Sequence, residues 1–135
     1  MINTILIVGV ALLVTGGIVW YTVKEPAVDT RPALPKPNVT TLDPERFTGQ
    51  TRLAYAAARE VPGLLAQLPC YCGCMSGFGH RNNLDCFHDE HGVECSMCQT
   101  IALDARDMYN DGFDVERIRQ HVKDKYGRYA SLTPQ

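Results

Sequence analysis

The chain has 135 residues, with 13 lysines and arginines against 15 aspartates and glutamates, and a formal net charge of -2. This length fits one small domain with an appendage, and the missing basic surplus argues against a nucleic-acid partner. The composition is uneven, because residues 1–23 carry no charged side chain and all six cysteines lie between Cys70 and Cys98. We therefore divide the chain into an anchor (1–23), a linker (24–45) and a Cys-rich domain (46–135).

The first segment predicts a single transmembrane helix. Residues 2–23 are predominantly apolar and contain no proline or charged residue. As a helix they would span about 33 Å, which is enough to cross a bilayer, and Trp20 and Tyr21 would lie in the headgroup layer. A cleaved signal peptide is the competing interpretation, but no basic residue precedes the apolar run and no small-residue cleavage site precedes Lys24.

The side of the membrane is harder to derive. Lys24, Arg31 and Lys36 follow the apolar run, which by the positive-inside rule would hold the domain in the cytoplasm. Acidic residues are interleaved with them, however, and a single-span protein with so short an N-terminal tail is commonly anchored with its bulk outside. We expect a single-pass protein of the cell membrane that contacts lipid through its helix and has an extracytoplasmic domain.

The linker predicts an extended chain. Five of the eight prolines lie in residues 24–45, and their fixed φ and missing N–H groups disfavour both helix and sheet. At about 3.1 Å per residue, such a segment reaches up to about 60 Å. It would either lift the domain from the membrane or lie across a neighbouring protein.

Three helical patterns in the remaining sequence predict an all-α domain of three to four helices, and strand-like alternation of any length is missing. The first pattern follows the cap pair Asp43-Pro44, and Pro62 either kinks it or begins a second helix. The second runs from Ser96 to Asn110, and the third begins at an N-cap, Asp114. The apolar stripes, which we interpret as core, are Leu53, Ala57, Val61, Leu64, Leu65 and Leu68, then Met97, Ile101, Ala105 and Met108, then Val115, Ile118, Val122 and Tyr126.

A stretch of about 26 residues between the first two patterns shows little periodicity, and so long a loop in a small domain needs an explanation. A dense set of thiols and imidazoles supplies one, since the loop would be stapled by a metal or by disulfides. The set consists of Cys70, Cys72, Cys74, His80, Cys86, His88, His91, Cys95 and Cys98.

Metal binding explains this set most directly. A Cys-x-x-Cys pair at a helix start lets two thiolates face one ion, and Gly73 permits a tight bend that puts three sulfurs on one turn. Thiolates select Cu(I), Zn(II) or an iron–sulfur cluster, and the spacing does not match the common ferredoxin runs. We therefore expect Cu(I) or Zn(II) ahead of an iron–sulfur cluster. Met75 and Met97 could add thioethers, although ordinary packing explains them too.

Two other uses of the cysteines compete. Structural disulfides suit a small exported domain, but three half-cystines within residues 70–74 would need three converging partners, and the histidines would be unexplained. Thiol redox chemistry is the other use, because Cys95 and Cys98 have the spacing of a redox pair at a helix start. That pair usually occurs in a βαβ setting, which is not predicted here.

The motif string itself resembles a known family. Residues 69–74 read Pro-Cys-Tyr-Cys-Gly-Cys, and Gly79-His80, Asp85-Cys86-Phe87, His91 and the Cys-x-x-Cys pair follow in order. This string is similar to that of the PCYCGC-motif family of bacterial membrane-tethered proteins, and the similarity extends over about Val61 to Gly127, including Ile118-Arg119 and Tyr126-Gly127. The chain departs from many members in using an apolar helix where they carry a lipid-attachment cysteine.

The resemblance implies little about activity, because the function of the family is largely uncharacterised. Its members are exported and held by a lipid or a helix, and some are similar selenoproteins with selenocysteine in the Cys-Tyr-Cys-x-Cys segment. Such a replacement suits a redox thiol or a soft-metal ligand at Cys70 and fits an inert disulfide poorly. His88 is not part of the family's pattern. The residues that match it are Cys70, Cys72, Cys74, His80, Cys86, His91, Cys95 and Cys98.

Together these observations predict a membrane-anchored metal-binding protein rather than an enzyme, with those eight residues as its ligands for Cu(I) handling or structural Zn(II). We expect Cys95 and Cys98 to converge with residues 70–74, and His80, Cys86 and His91 to complete one or two sites. Two alternatives stay open. The chain could be a single-span accessory subunit of a larger respiratory or photosynthetic membrane complex, or a thiol-disulfide redox protein.

Overall fold

The computed structural model describes residues 29–130. The predicted transmembrane helix lies outside this range, as does the first part of the linker. Within it the chain forms six α-helices and no strand, so the all-α prediction is confirmed for this part of the protein. No helix between residues 29 and 130 is long and apolar enough to cross a membrane.

Three longer helices and three single-turn helices make up the domain. The three predicted patterns correspond to α1 with α2, to α5, and to α6. Short 3-10 turns lie before, between and after them, at Pro44–Arg46, Leu84–Phe87 and Gly127–Tyr129. The helices are α1 (Gly49–Glu60), α2 (Pro62–Leu65), α3 (Cys74–Gly77), α4 (His91–Glu94), α5 (Ser96–Asn110) and α6 (Val115–Tyr126).

Most predicted helix ends are confirmed. The Asp114 carboxylate accepts a hydrogen bond from the Arg117 backbone N–H, as expected of an N-cap, and Pro62 begins the separate helix α2. The predicted start of the first helix is wrong. Asp43 caps only a 3-10 turn, after which Phe47 is extended (φ -124°, ψ 168°), and α1 begins at Gly49.

The face that α1 buries also differs from the prediction at one residue. Leu53 is 54% exposed, whereas Tyr55 is fully buried. The Tyr55 ring lies 4.2 Å from the Phe47 ring and 5.1 Å from the Phe87 ring, and this aromatic packing turns Leu53 outward. The other predicted core residues are buried or half-buried: Ala57, Val61, Leu64, Leu65, Leu68, Met97, Ile101, Ala105, Met108, Val115, Ile118, Val122 and Tyr126.

Helix α5 is central to the packing, because α1, α2, α4 and α6 all contact it. Its first turn carries Cys98, and its middle carries Ile101, both fully buried. The central helix therefore belongs to the apolar core along part of its length and to the cysteine cluster at its N-terminal end.

Residues 29–42, which we call the strap, lie along the domain. The Pro35 carbonyl oxygen is so close to Gly63 that a Cβ at that glycine would lie 2.0 Å from it. The Leu42 N–H donates to the Phe87 carbonyl at 2.9 Å, and the Arg31 guanidinium lies 3.8 Å from the centre of the Tyr109 ring. The proline-rich segment thus covers its own domain over these residues, a contact that the sequence analysis did not predict.

Candidate metal centre

The turn at residues 70–74 brings three sulfurs together. Gly73 has φ +86°, a left-handed conformation that glycine adopts at little cost, and α3 begins immediately after it at Cys74. The Cys72 Sγ lies 3.0 Å from the Cys70 Sγ and 2.7 Å from the Cys74 Sγ. The predicted tight bend at Gly73 is therefore confirmed.

The Cys-x-x-Cys pair opens α5, as its position in the sequence predicted. Cys95 is the N-cap residue, and Cys98 lies in the first turn with its side chain directed into the core. The Cys98 Sγ lies 3.1 Å from the Cys70 Sγ and 3.4 Å from the Cys72 Sγ. The structure thus brings together two motifs that lie more than twenty residues apart in the sequence.

A first candidate ligand group consists of Cys70, Cys72, Cys74 and Cys98, whose sulfurs all lie within 4.8 Å of one another. All six cysteines are free thiols, and the shortest sulfur–sulfur contact, 2.7 Å, is well beyond the roughly 2.05 Å of a disulfide bond. Zinc–sulfur bonds of about 2.3 Å place tetrahedral sulfurs roughly 3.8 Å apart. An ion would therefore spread the contacting sulfurs by up to about 1 Å.

A second candidate group shares one of these sulfurs. The ligand atoms of Cys74, His80 and Cys86 also lie within 4.8 Å of one another, and all three residues are buried. The His80 Nδ1 lies 3.3 Å from the Cys86 Sγ, which in turn accepts a hydrogen bond from the Cys98 thiol at 3.2 Å. The two groups are therefore continuous.

Two further predicted ligands lie at the edge of the groups. The His91 Nε2 lies 2.9 Å from the Cys74 Sγ, and its ring lies 4.8 Å from the His80 ring. Cys95 is half-buried, and its contact with Cys72 lowers the pKa of that thiol. Seven of the eight residues singled out from the sequence therefore meet through direct contacts of their ligand atoms, and Cys95 lies beside them.

The remaining candidate ligands, His88, Met75 and Met97, make other contacts. The His88 Nδ1 donates to the Asp85 carbonyl at 2.6 Å, and its Nε2 lies 3.4 Å from the Asp89 carboxylate. Met75 is 45% exposed, and Met97 packs against the core. Their positions agree with ordinary packing rather than with thioether ligands.

The cysteine thiols of the cluster differ in pKa. Hydrogen bonds from Cys70 and Cys98 lower the pKa of Cys86 to about 5. The contact with Cys70 raises the pKa of Cys72, but those with Cys95 and Cys98 outweigh it and lower the value to about 6. Contacts with Cys70, Cys72 and Cys86 raise the pKa of Cys98, which acts as the proton donor. Negative charge thus collects on Cys72 and Cys86, and thiolate is the form that binds metal.

Buried polar side chains that the sequence analysis missed hold the loop in place. Asn83 is fully buried; its Nδ2 donates to the Cys98 carbonyl at 3.3 Å, and its backbone N–H donates to the Leu68 carbonyl at 2.8 Å. Its Oδ1 has no hydrogen-bond partner among residues 29–130, which is energetically unfavourable for a buried oxygen. The two hydrogen bonds that Asn83 donates offset this cost and connect the loop to the start of α5.

Asp85 and Gln99 support the histidines. The Asp85 carboxylate accepts from the Arg81 backbone N–H at 2.8 Å and so fixes the chain between His80 and Cys86. The Gln99 Nε2 donates to the Gly92 carbonyl at 2.8 Å, which fixes the short helix that carries His91. An acidic residue in a loop and a glutamine in a helix are too common to single out from sequence.

A cleft of about 590 Å³ opens beside the second group. His80, His88 and His91 line it on the loop side, and residues 38–40 of the strap line it on the other side. Phe78, which is 70% exposed, packs against His91 at the same cleft, with 4.4 Å between ring centres and a tilt of 55° between the rings. The histidine side of the cluster therefore faces an open cleft.

Comparison with known proteins identifies one relationship. The family model described as a protein of unknown function with PCYCGC motif matches residues 38–135, which is most of the chain. This match confirms the resemblance inferred from the cysteine string. No curated protein and no solved structure matches the chain.

Proposed function

We propose that this chain, which belongs to the family of proteins with a PCYCGC motif, is a metal-binding protein that holds a soft ion on its cysteine cluster. The observation that carries the proposal is the convergence of four sulfurs, from the 70–74 turn and from α5, within 4.8 Å of one another. Sulfur ligands at this density favour soft ions and disfavour magnesium or calcium, which prefer oxygen.

Copper handling is the sharper form of the proposal. A tetrahedral zinc site is complete with four ligands, whereas this cluster offers five thiols and two imidazoles in continuous contact, with the Cys95 thiol beside them. Thiolates select Cu(I), and a cleft on the histidine side gives an ion or a competing ligand a way in. Both features suit a protein that takes up and gives away its ion.

A structural zinc site is the second candidate, and one observation favours it. Residues 70–95 contain only single-turn helices, and the sulfur cluster joins them to the buried start of α5. Zinc that closes such a loop contributes its binding free energy to folding. On this alternative the ion would stay in place, and the activity of the protein would be interaction with partners.

The test is the metal content of the full chain, purified in mild detergent without oxygen. The proposal expects one or more equivalents of copper or zinc by mass spectrometry. A metal-free protein with fewer than six reactive thiols after denaturation would overturn it and favour a thiol-disulfide redox protein. Treatment with a chelator distinguishes copper handling from a structural zinc site. A metal-handling protein should release its ion and keep its helicity, whereas a protein with a structural site should lose helicity as the ion leaves.

The proposed location is the cell membrane, with the apolar residues 2–23 as a single span and the Cys-rich domain on the extracytoplasmic side. The uncharged run itself supports this proposal. We expect the chain to resist alkaline extraction from membranes. We also expect its Cys-rich domain to be digested by protease that is added to cells with a permeabilised outer envelope. Recovery in the soluble fraction would contradict it. Co-purification with a larger complex in mild detergent would instead support the accessory-subunit alternative.

A further inference from the structure

We propose that the cluster has two ion positions which share Cys74: an inner position on four sulfurs and an outer, exchangeable position on Cys74, His80 and Cys86. The inner position is the group of Cys70, Cys72, Cys74 and Cys98 described above. This inference rests on the proposed function, because it assigns a second ion and a direction of exchange to the same cluster.

The outer group supplies three ligands of its own. The sulfurs of Cys74 and Cys86 and a nitrogen of His80 lie within 4.8 Å of one another, and each residue is more than nine-tenths buried. His91 adds a second imidazole, with its Nε2 2.9 Å from the Cys74 Sγ. Two thiolates and one or two imidazoles are a common ligand set for zinc and are accepted by copper.

Cys74 connects the two positions. It is the only member common to both groups within residues 29–130, and a thiolate sulfur has enough lone pairs to bind two ions at once. The direct contact between the Cys86 and Cys98 sulfurs, 3.2 Å, brings the remaining ligands of the two positions against each other. A bridging thiolate explains why three cysteines are packed into residues 70–74.

The local structure holds the outer ligands in this arrangement. Gly79 has φ +70°, which directs the chain into His80, and Asp85 binds the Arg81 backbone immediately after it. The 3-10 turn Leu84–Phe87 then carries Cys86 into the core. The outer group therefore depends on a defined loop path and not on three side chains that happen to be close.

The two positions differ in ligands. His80 and His91 line the cleft of about 590 Å³, whereas the inner group combines the fully buried Cys98 with the half-buried Cys72. The inner ion would have sulfur ligands alone, which hold Cu(I) firmly, and the outer ion would have fewer thiolates and an imidazole. The inner position should therefore fill first, and the outer ion should leave first.

Titration of the reduced full chain with Cu(I) alone, in mild detergent without oxygen and against a competing Cu(I) chelator, tests this. We expect two equivalents on the wild type and a loss to one equivalent in His80→Asn. His88→Asn is the matched control: this histidine lines the same cleft but bonds the Asp85 carbonyl, and its variant should keep both ions.

A wild type that binds a single ion, or a His80→Asn variant that still binds two, would overturn the inference while leaving the proposed function intact. A chain that binds neither Cu(I) nor, in a parallel titration, Zn(II) would overturn both.

A second measurement needs no variant and covers the case in which His80→Asn does not fold. Nitrogen NMR of the histidine side chains is recorded on the wild type during the same titration. The first equivalent should leave the imidazole resonances of His80 in place, and the second should shift them. A shift of His80 that is complete at the first equivalent would contradict the assignment of the inner position to sulfur alone.

Discussion

Two regions of the domain are held by different forces. The helices α1, α5 and α6 each bury one face, so that Ala57, Ile101 and Val122 are fully excluded from solvent. Residues 70–95 contain only single-turn helices, and sulfur contacts, buried amides and the Asp85 carboxylate hold them in place. The helices can therefore fold by hydrophobic burial, whereas residues 70–95 need the ligand cluster and the polar contacts around it to fold.

The largest expected effect on metal binding comes from a substitution in the cluster. Cys98→Ser removes the sulfur that contacts Cys70, Cys72 and Cys86, and it should abolish binding at the inner position. Hydrogen exchange should then accelerate in residues 70–95 by at least about tenfold, which corresponds to about 1.4 kcal/mol, and much less in α6. Equal acceleration in both regions would show that the loop and the helices unfold together. Ser96→Ala, an exposed neighbour, is the control.

A second prediction tests the helical region through a substitution in its apolar core. Ile101→Ala removes a fully buried side chain of α5 and should cost about 2–5 kcal/mol in the free energy of unfolding. The folded fraction should still bind its metal, because the ligand atoms are unchanged. Urea denaturation with metal analysis of the folded protein measures both quantities. Leu53→Ala, at an exposed position of α1, should change stability by less than about 0.5 kcal/mol.

The strap offers a third test, because it covers the helical region and one wall of the cleft. Gly63→Ala places a Cβ 2.0 Å from the Pro35 carbonyl oxygen, so the strap must move away, at a cost of about 1–3 kcal/mol. Limited proteolysis should cut residues 29–42 faster in this variant. Gly77→Ala is the control, since a Cβ there meets no atom within 4 Å. Equal rates of cleavage in the two variants would mean that the strap does not depend on this contact.

The smallest expected effect concerns pH and the contact between α5 and α6. Burial raises the pKa of Asp104, but hydrogen bonds from Lys125 (2.6 Å) and Tyr126 (2.5 Å) outweigh it and lower the value. Because the folded pKa is below the unfolded one, the stabilisation is full above the unfolded value of about 4 and is lost as pH falls through the folded value. Asp104→Asn should therefore lose about 1 kcal/mol at pH 7 and show a shallower fall in stability under acid. Thermal denaturation at a series of pH values measures the difference, and parallel curves for variant and wild type would contradict it.

The comparison also explains what could be predicted from the sequence. Helix α5 was predicted from Ser96 to Asn110, the bounds that it has, because apolar periodicity and a stop signal act over a few residues. The eight Cys and His residues were found because their density is unusual. The predicted burial of Leu53 was wrong because the orientation of α1 depends on the packing of Tyr55 between the Phe47 and Phe87 rings.

Other features depend on contacts that no local pattern encodes. The strap lies on the domain because Gly63 leaves room for the Pro35 carbonyl, and these residues are distant in the chain. Asn83 and Gln99 bond backbone carbonyls of the loop and of α5, which any polar side chain could do in another fold. The division of the ligands into two groups that share Cys74 depends on the path of the loop between Gly79 and Cys86. Sequence could name these ligands but could not pair them.

We propose that sulfur from the 70–74 turn and from α5 holds a metal ion. X-ray absorption at the edge of the metal that purifies with the full chain distinguishes sulfur ligands from oxygen and nitrogen ligands. We expect a first shell dominated by sulfur at about 2.3 Å, and fewer sulfur neighbours per ion in Cys98→Ser, which keeps only the outer ion. A first shell of oxygen and nitrogen alone, or a sulfur shell that the substitution leaves unchanged, would contradict it.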